Sequence, residues 1–351
     1  VHGSHRARRS WADPALLIVL LALAGWTLWV SNGGRAQPGP AIGLIGLVAG
    51  AYVAGRLASQ IPAAVGTVSV VLAAGIGLAV LSTPGALSGA PLAPPLGYGN
   101  ANGALYALGA GAALVAGLSC GRPVVRLLAV LAAVGFTGLA VLTGSQAGAA
   151  VAAGLVVLGA ALALRPTLGR PVPALAALAV VLALVSTVAL GLAPSGGPAG
   201  AESALEGALS SRRVTLWAES LDLLDSAPIR GVGAGRFQDE SPTARADDDA
   251  RWAHSLWLQQ AAETGLPGLV LLLTAAGIVV LRVRADGPDD GGVPAMGTAV
   301  VAGLLVHASI DYVVHFPVLP TFAALLAGLT AVSAGSGTVG TGKPAFTPPS
   351  P

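Results

Sequence analysis

Charge is scarce in this chain. Asp, Glu, Lys and Arg make up only 10% of 351 residues, against 54% hydrophobic residues and a mean hydropathy of +0.77. An ordinary soluble domain is excluded, because the apolar runs are too long and too many for one core. Cysteine is nearly absent: Cys120 stands alone, which excludes internal disulfides and multi-cysteine metal sites. The net charge of +2 offers no broad basic surface, so no nucleic-acid partner is expected.

What the chain has is apolar length. Stretches of roughly 17–25 residues predict an all-α membrane protein of about ten spans, at 14–30, 40–59, 61–83, 100–119, 123–143, 146–164, 172–193, 265–283, 294–316 and 317–335. Alternate connections carry the arginines: Arg6, Arg8 and Arg9, then Arg56, Arg122 with Arg126, Arg165 with Arg170, and Arg282 with Arg284, followed by Lys343; the opposite short loops hold only Arg35. Lys and Arg in short loops resist translocation, so both termini are expected in the cytoplasm of a multi-pass inner-membrane protein. Ala22-Leu-Ala24 resembles a signal cleavage site, but with nine further spans an uncleaved first helix is expected. Gly46 with Gly50 and Gly117 with Gly121 suggest close helix approach.

Polar residues concentrate between about Pro194 and Glu263. This island holds eleven of the sixteen acidic residues, so the chemistry is expected there. The organisation reads as a seven-span bundle (1–193), an extracytoplasmic catalytic loop (194–263), a three-span bundle (264–335) and a disordered tail (336–351). The proline-rich loop 84–99 reads as irregular. Within the island, a helix is expected from about Ser203 to Ser226, a turn from Pro228 to Phe237, and a second helix from near Trp252.

At about 100° per residue, Arg213 falls in the apolar arc of the first island helix. A buried guanidinium requires an anion or several acceptors; an island carboxylate, snorkelling to the interface and a bound phosphate are all open. On the second helix, His254 shares an arc with Trp257, Leu258 and Ala261, while Ser255, Gln259 and Glu263 form a separate polar stripe. A packed histidine and a general base both fit His254. Gly231-Val-Gly-Ala-Gly235 lacks the strand–helix context of a dinucleotide loop and reads as a sharp turn or an anion cradle. Asp247-Asp-Asp249 reads as a solvated acidic loop before a metal site. His307, Asp311 and His315, four apart on the expected ninth span, would share a face toward a cavity or helix–helix contact, with Asn100 and Asn102 nearby.

Arg213-x-x-x-Trp217, Ala227-Pro-Ile-Arg-Gly-Val-Gly-Ala-Gly-Arg-Phe237 and Ala253-His-Ser-Leu-Trp-Leu-Gln-Gln-Ala-Ala-Glu-Thr-Gly265 together resemble the signature of the O-antigen ligase and polymerase superfamily. Asn100-Ala-Asn102 resembles that family's asparagine after an outer loop. Where the family often has Ser-Arg-Gly, this chain has Ser145-Gln146-Ala-Gly148, without the arginine. The resemblance implies metal-independent, cofactor-free transfer of a glycan from an undecaprenyl-diphosphate carrier to a glycan, lipid or protein acceptor hydroxyl. It implies His254 as base and Arg213 as the group neutralising the diphosphate, with Arg251 or Arg230 in place of the missing arginine. Trp217, Gly231, Gly233, Gln259, Glu263, Asn102, His307, Asp311 and His315 complete the implied substrate-binding set. A bicarbonate-like solute transporter and a non-catalytic member of a polysaccharide machine are the competing readings.

Overall fold

Small side chains explain the centre of this fold. The computed structural model describes residues 11–32, 36–61, 63–193, 211–247, 250–282 and 291–331. Helix α4 (Gly99–Ser119) is buried along almost its whole length, and its Ala and Gly residues let five neighbours close around it. Those neighbours are α3 (Ala64–Ser82), α5 (Pro123–Leu142), α6 (Gln146–Leu164), α12 (Gly292–Ser309) and α13 (Val318–Leu329). A Cβ at Gly117 would meet Ala129 of α5 at 2.6 Å, so this glycine does mark a close approach. Gly46 and Gly50 do not: they lie on an open face of α2 (Gly39–Ala58), which packs on α13 through the face carrying Tyr52 and Gly55.

The described residues form helices and turns without a strand. Among the described residues, nine helices are long and apolar enough to cross a bilayer: α1 (Ala12–Val30) through α6, α7 (Val172–Gly191), α11 (Leu256–Leu281) and α12. The expected tenth span is a 12-residue helix, α13. At 1.5 Å per residue it covers roughly 18 Å, well short of the roughly 30 Å hydrocarbon core; residues 332–335 of that expectation lie outside the described residues. Loop 84–98 is irregular, as expected, with turns and bends but no helix or strand.

One end of the bundle is closed by charge. Asp13 of α1 accepts from Arg56 at the end of α2 (2.9 and 3.0 Å) and from the Tyr52 hydroxyl. Arg282, at the end of α11, donates to Tyr52 and to the Ala327 carbonyl of α13. Four helix ends are thereby tied together, and the polar island sits at the opposite end. Its described part comprises α8 (Ser211–Ser226), the short α9 (Phe237–Glu240) and α10 (Pro242–Ala246), and the first turns of α11. The expected helix residues 203–210 lie outside the described residues. Glu219 of α8 binds Ser241 and the Thr243 amide (3.2 Å), and so fixes α10 against α8.

Two glycines lock the island onto the bundle. Gly231 (φ +64°) and Gly265 (φ +70°) both occupy the left-handed region that glycine enters without Cβ strain. A Cβ at Gly231 would strike the Glu263 backbone, and one at Gly265 would strike the Ile229 carbonyl. Their close approach allows the bonds Val232 N to Ala262 O (2.9 Å), Gly233 N to Glu263 O (2.9 Å) and Leu266 N to Pro228 O (2.8 Å). The 231–235 turn is thus chiefly a docking element for the kink in α11.

Candidate active site

Helix α12 stops before the acidic residue expected within it. It ends at Ser309, where Ile310 N bonds His307 O (3.1 Å). Asp311 Oδ1 then accepts from the next backbone amide, Tyr312 N (2.8 Å), a local bond that competes with helix continuation. Asp311 and His315 therefore do not share a helical face with His307. His315 sits in a 3-10 turn, Val313–His315, while His307 stays inside α12.

His254 is likewise off the helix on which the periodicity placed it. Ser255 is the N-cap, α11 begins at Leu256, and His254 adopts φ +50°. A left-handed non-glycine residue costs about 1–3 kcal/mol and is often found at functional sites. Its carbonyl accepts from Trp217 Nε1 of α8 at 3.4 Å.

These displacements bring separate parts of the chain onto one carboxylate. Asp311 is 1% exposed, and its Oδ2 accepts from Arg213 Nη2 (2.6 Å), Asn100 Nδ2 (2.7 Å) and the Tyr98 hydroxyl (2.9 Å). His254 Nδ1 lies 3.9 Å from the same oxygen, an electrostatic contact too long for a hydrogen bond. Burial alone would raise the Asp311 carboxyl; the surrounding His254, Arg213 and His307 hold it below the usual carboxylate range. Tyr98 is pushed up by burial and by the Asp311 charge, so its hydroxyl stays a donor. Edge contact of the His254 and Tyr312 rings at 4.7 Å, and stacking of Tyr312 on Tyr98 at 4.7 Å, close one side.

A second group adjoins the first. Gln259 Nε2 donates to Glu263 Oε1 (3.1 Å) and lies 3.4 Å from His315 Nε2. Glu263 also accepts from Gly235 N (2.9 Å) and Phe237 N (3.4 Å). His315 stacks near Trp252, with centroids 4.0 Å apart, and burial pushes its imidazole down to about 4.

The remaining expected residues are elsewhere. Asn102 is fully buried and pins the 84–98 loop through Ala93 O (2.7 Å) and Leu96 N (3.1 Å); Asn100 is the asparagine at the site. His307 lines a cavity of about 10 Å³ with Ala104, Leu108, Val151 and Leu304. That volume suits about one water molecule. Arg230 lies over the Trp29 ring at 4.6 Å, on the α1 side. Arg251 is exposed, and Gly233 faces Ala36. Gln146 is exposed at the start of α6, where Ser145 caps Gly148 N (3.1 Å). Among the described residues, no group of His, Cys, Asp and Glu has metal-ligand geometry; Asp248 and Asp249 lie outside them.

Tyr98 and Tyr312 were missed by periodicity, since they flank helices without belonging to them. Their signal was rarity: aromatics are 4% of the chain, yet Tyr98, Trp252, Tyr312 and Phe316 gather here.

Residues 127–273 match the model of the family described as O-antigen ligase. This segment belongs to the O-antigen ligase family. It contains Arg213, Trp217, His254, Gln259 and Glu263, whereas Tyr98, Asn100 and Asp311 lie outside the match and reach the site only through folding. The spans describe a multi-pass membrane protein, of which residues 127–273 match the O-antigen ligase model. No curated protein and no solved structure matches the chain.

Proposed function

We propose that the chain transfers a glycan from an undecaprenyl-diphosphate carrier to an acceptor hydroxyl at the extracytoplasmic face of the cytoplasmic membrane. The observation that carries this reading is the convergence of His254 and Arg213 on Asp311 at the bundle end where the family segment is polar. His254 takes the acceptor hydroxyl proton, the oxygen attacks the anomeric carbon, and the bond from that carbon to the diphosphate breaks. Asp311, 3.9 Å from Nδ1, stabilises the imidazolium as it forms, leaving Nε2 for the acceptor. Arg213 meets the growing charge on the departing polyprenyl diphosphate. Both charges are needed: Asp311 neutralises Arg213 in the resting site, and the diphosphate shares it during the reaction.

The test is transfer of a lipid-diphosphate-linked glycan by purified protein in the presence of a chelator. Activity with chelator is expected, together with its loss in His254→Ala. Full turnover by His254→Ala, or loss of wild-type activity on metal removal, overturns the mechanism.

A further inference from the structure

The backbone around His254 is held on two sides. Trp217 takes its carbonyl, and the amide of the preceding residue, Ala253, donates to Gln259 Oε1 at 3.3 Å. Gln259 is itself buried at 6% exposure. The orientation of its side-chain amide follows from its neighbours. A backbone N–H only donates, so the atom facing Ala253 is the oxygen, which leaves the nitrogen to donate to Glu263 Oε1. His315 agrees with this assignment. Its Nδ1 faces the Tyr312 carbonyl at 3.2 Å and carries the proton, which leaves the Nε2 lone pair toward Gln259.

We propose that Gln259 is a positioning residue for His254, holding the left-handed turn that brings the imidazole to Asp311. The inference rests on His254 being the base. A side chain whose amide is engaged by Ala253, Glu263 and His315 is a strut between protein elements, and it replaces the substrate-binding role expected of Gln259. It also couples distant parts. Glu263 grips the turn at Gly235 and Phe237, and Gln259 passes that anchorage to the peptide beside His254. Without the amide, the Ala253 N–H loses its acceptor. The strained turn at His254 can then relax, carrying the ring off the line between Asp311 and the acceptor.

Two variants of the full-length purified protein test this, assayed for transfer from a lipid-diphosphate-linked glycan. Gln259→Leu is expected to lower kcat about 10- to 100-fold, the scale of an ångström-sized misplacement of a reacting group. Donor KM and binding of inorganic pyrophosphate should stay within about twofold. Gln259→Glu supplies a reading that general structural damage does not mimic. Glu263 on α11 and His315 after α12 contact Gln259 directly; His254 and Asp311 act on His315 electrostatically, and Arg213 on α8 pairs with Asp311. At low pH the introduced carboxyl, Glu263 and His315 hold a proton between them, so the link from Glu263 to Ala253 persists. Raising the pH strips that proton and sets two carboxylates against each other. Activity of Gln259→Glu should therefore fall reversibly between about pH 6 and 9, an alkaline limb absent from the wild type.

A wild-type kcat in Gln259→Leu overturns the proposal, as does a raised KM at unchanged kcat, which would make Gln259 a substrate contact. If the leucine variant does not fold, the pH profile of Gln259→Glu decides, and a profile parallel to wild type overturns the proposal. Full turnover in His254→Ala sinks the base assignment and this inference with it. Loss in His254→Ala beside a wild-type Gln259→Leu sinks the positioning role alone.

Discussion

Arg213 and Asp311 are 98 residues apart in the chain and 2.6 Å apart in space. The pair joins the island helix to the segment after α12, and both partners are largely withdrawn from solvent. A buried pair of this kind is costly to break from one side. It also means that an anion-seeking arginine already has a partner in the resting protein, so any diphosphate must share it.

His254→Ala is expected to lower turnover by about 10²–10⁴, the usual contribution of a general base. Stability should change little, since the ring makes an edge contact and a long electrostatic contact, and its Nδ1 has no hydrogen-bond partner. Turnover and thermal unfolding in detergent, measured on the same preparation, check both halves.

Arg213→Lys separates a clamp from a brace. An ammonium can meet Asp311 but cannot present a planar fork to a diphosphate. We expect a near-normal unfolding midpoint with turnover reduced about 10²-fold or more. Near-normal turnover would leave Arg213 as an ion-pair brace only.

Asp311→Leu should impair activity and also lower stability. Membrane insertion by itself gains from losing a charge, but the folded site loses the acceptor of Arg213, Asn100 and Tyr98. Removing one member of a buried ion pair costs about 3–5 kcal/mol. Normal insertion with a markedly lower unfolding midpoint is the expected pair of results; an unchanged midpoint contradicts the hub.

The contribution of His315 to stability should fall on mild acidification. His315 titrates at about 4 in the folded protein, against 6.5 ordinarily. Between these values the unfolded chain binds the extra proton, so stability rises with pH there. The contribution is fully present above about 6.5 and is lost progressively toward 4. Asp311, held low, adds a further loss only at lower pH. His315→Gln, which cannot charge, should weaken the dependence between pH 4 and 6.5 in detergent unfolding curves.

The orientation is testable with cysteines introduced after Cys120 is replaced. One at the exposed Ala246 should react with an impermeant thiol reagent added outside, and one at Gly287 should not. The reverse pattern overturns the extracytoplasmic placement of the site.

Composition and periodicity alone determined that this chain is helical and membrane-bound, because hydrocarbon burial and backbone satisfaction are local demands that each apolar run meets by itself. The same local logic located seven of the nine long helices among the described residues to within three residues at each end and marked Arg213 and His254 as out of place. It failed where the chain leaves regular structure. A helical wheel assumes a helix, but His254 precedes the N-cap Ser255, Asp311 follows the helix end at Ser309, and His315 sits in a separate 3-10 turn. It also could not choose Asn100 over Asn102, since both flank the same helix start and only packing decides which one turns inward to the loop. The pairing of Arg213 with Asp311 was decided by tertiary structure alone, because a charge buried by folding takes whichever counter-charge folding brings within reach, and sequence distance plays no part in that choice.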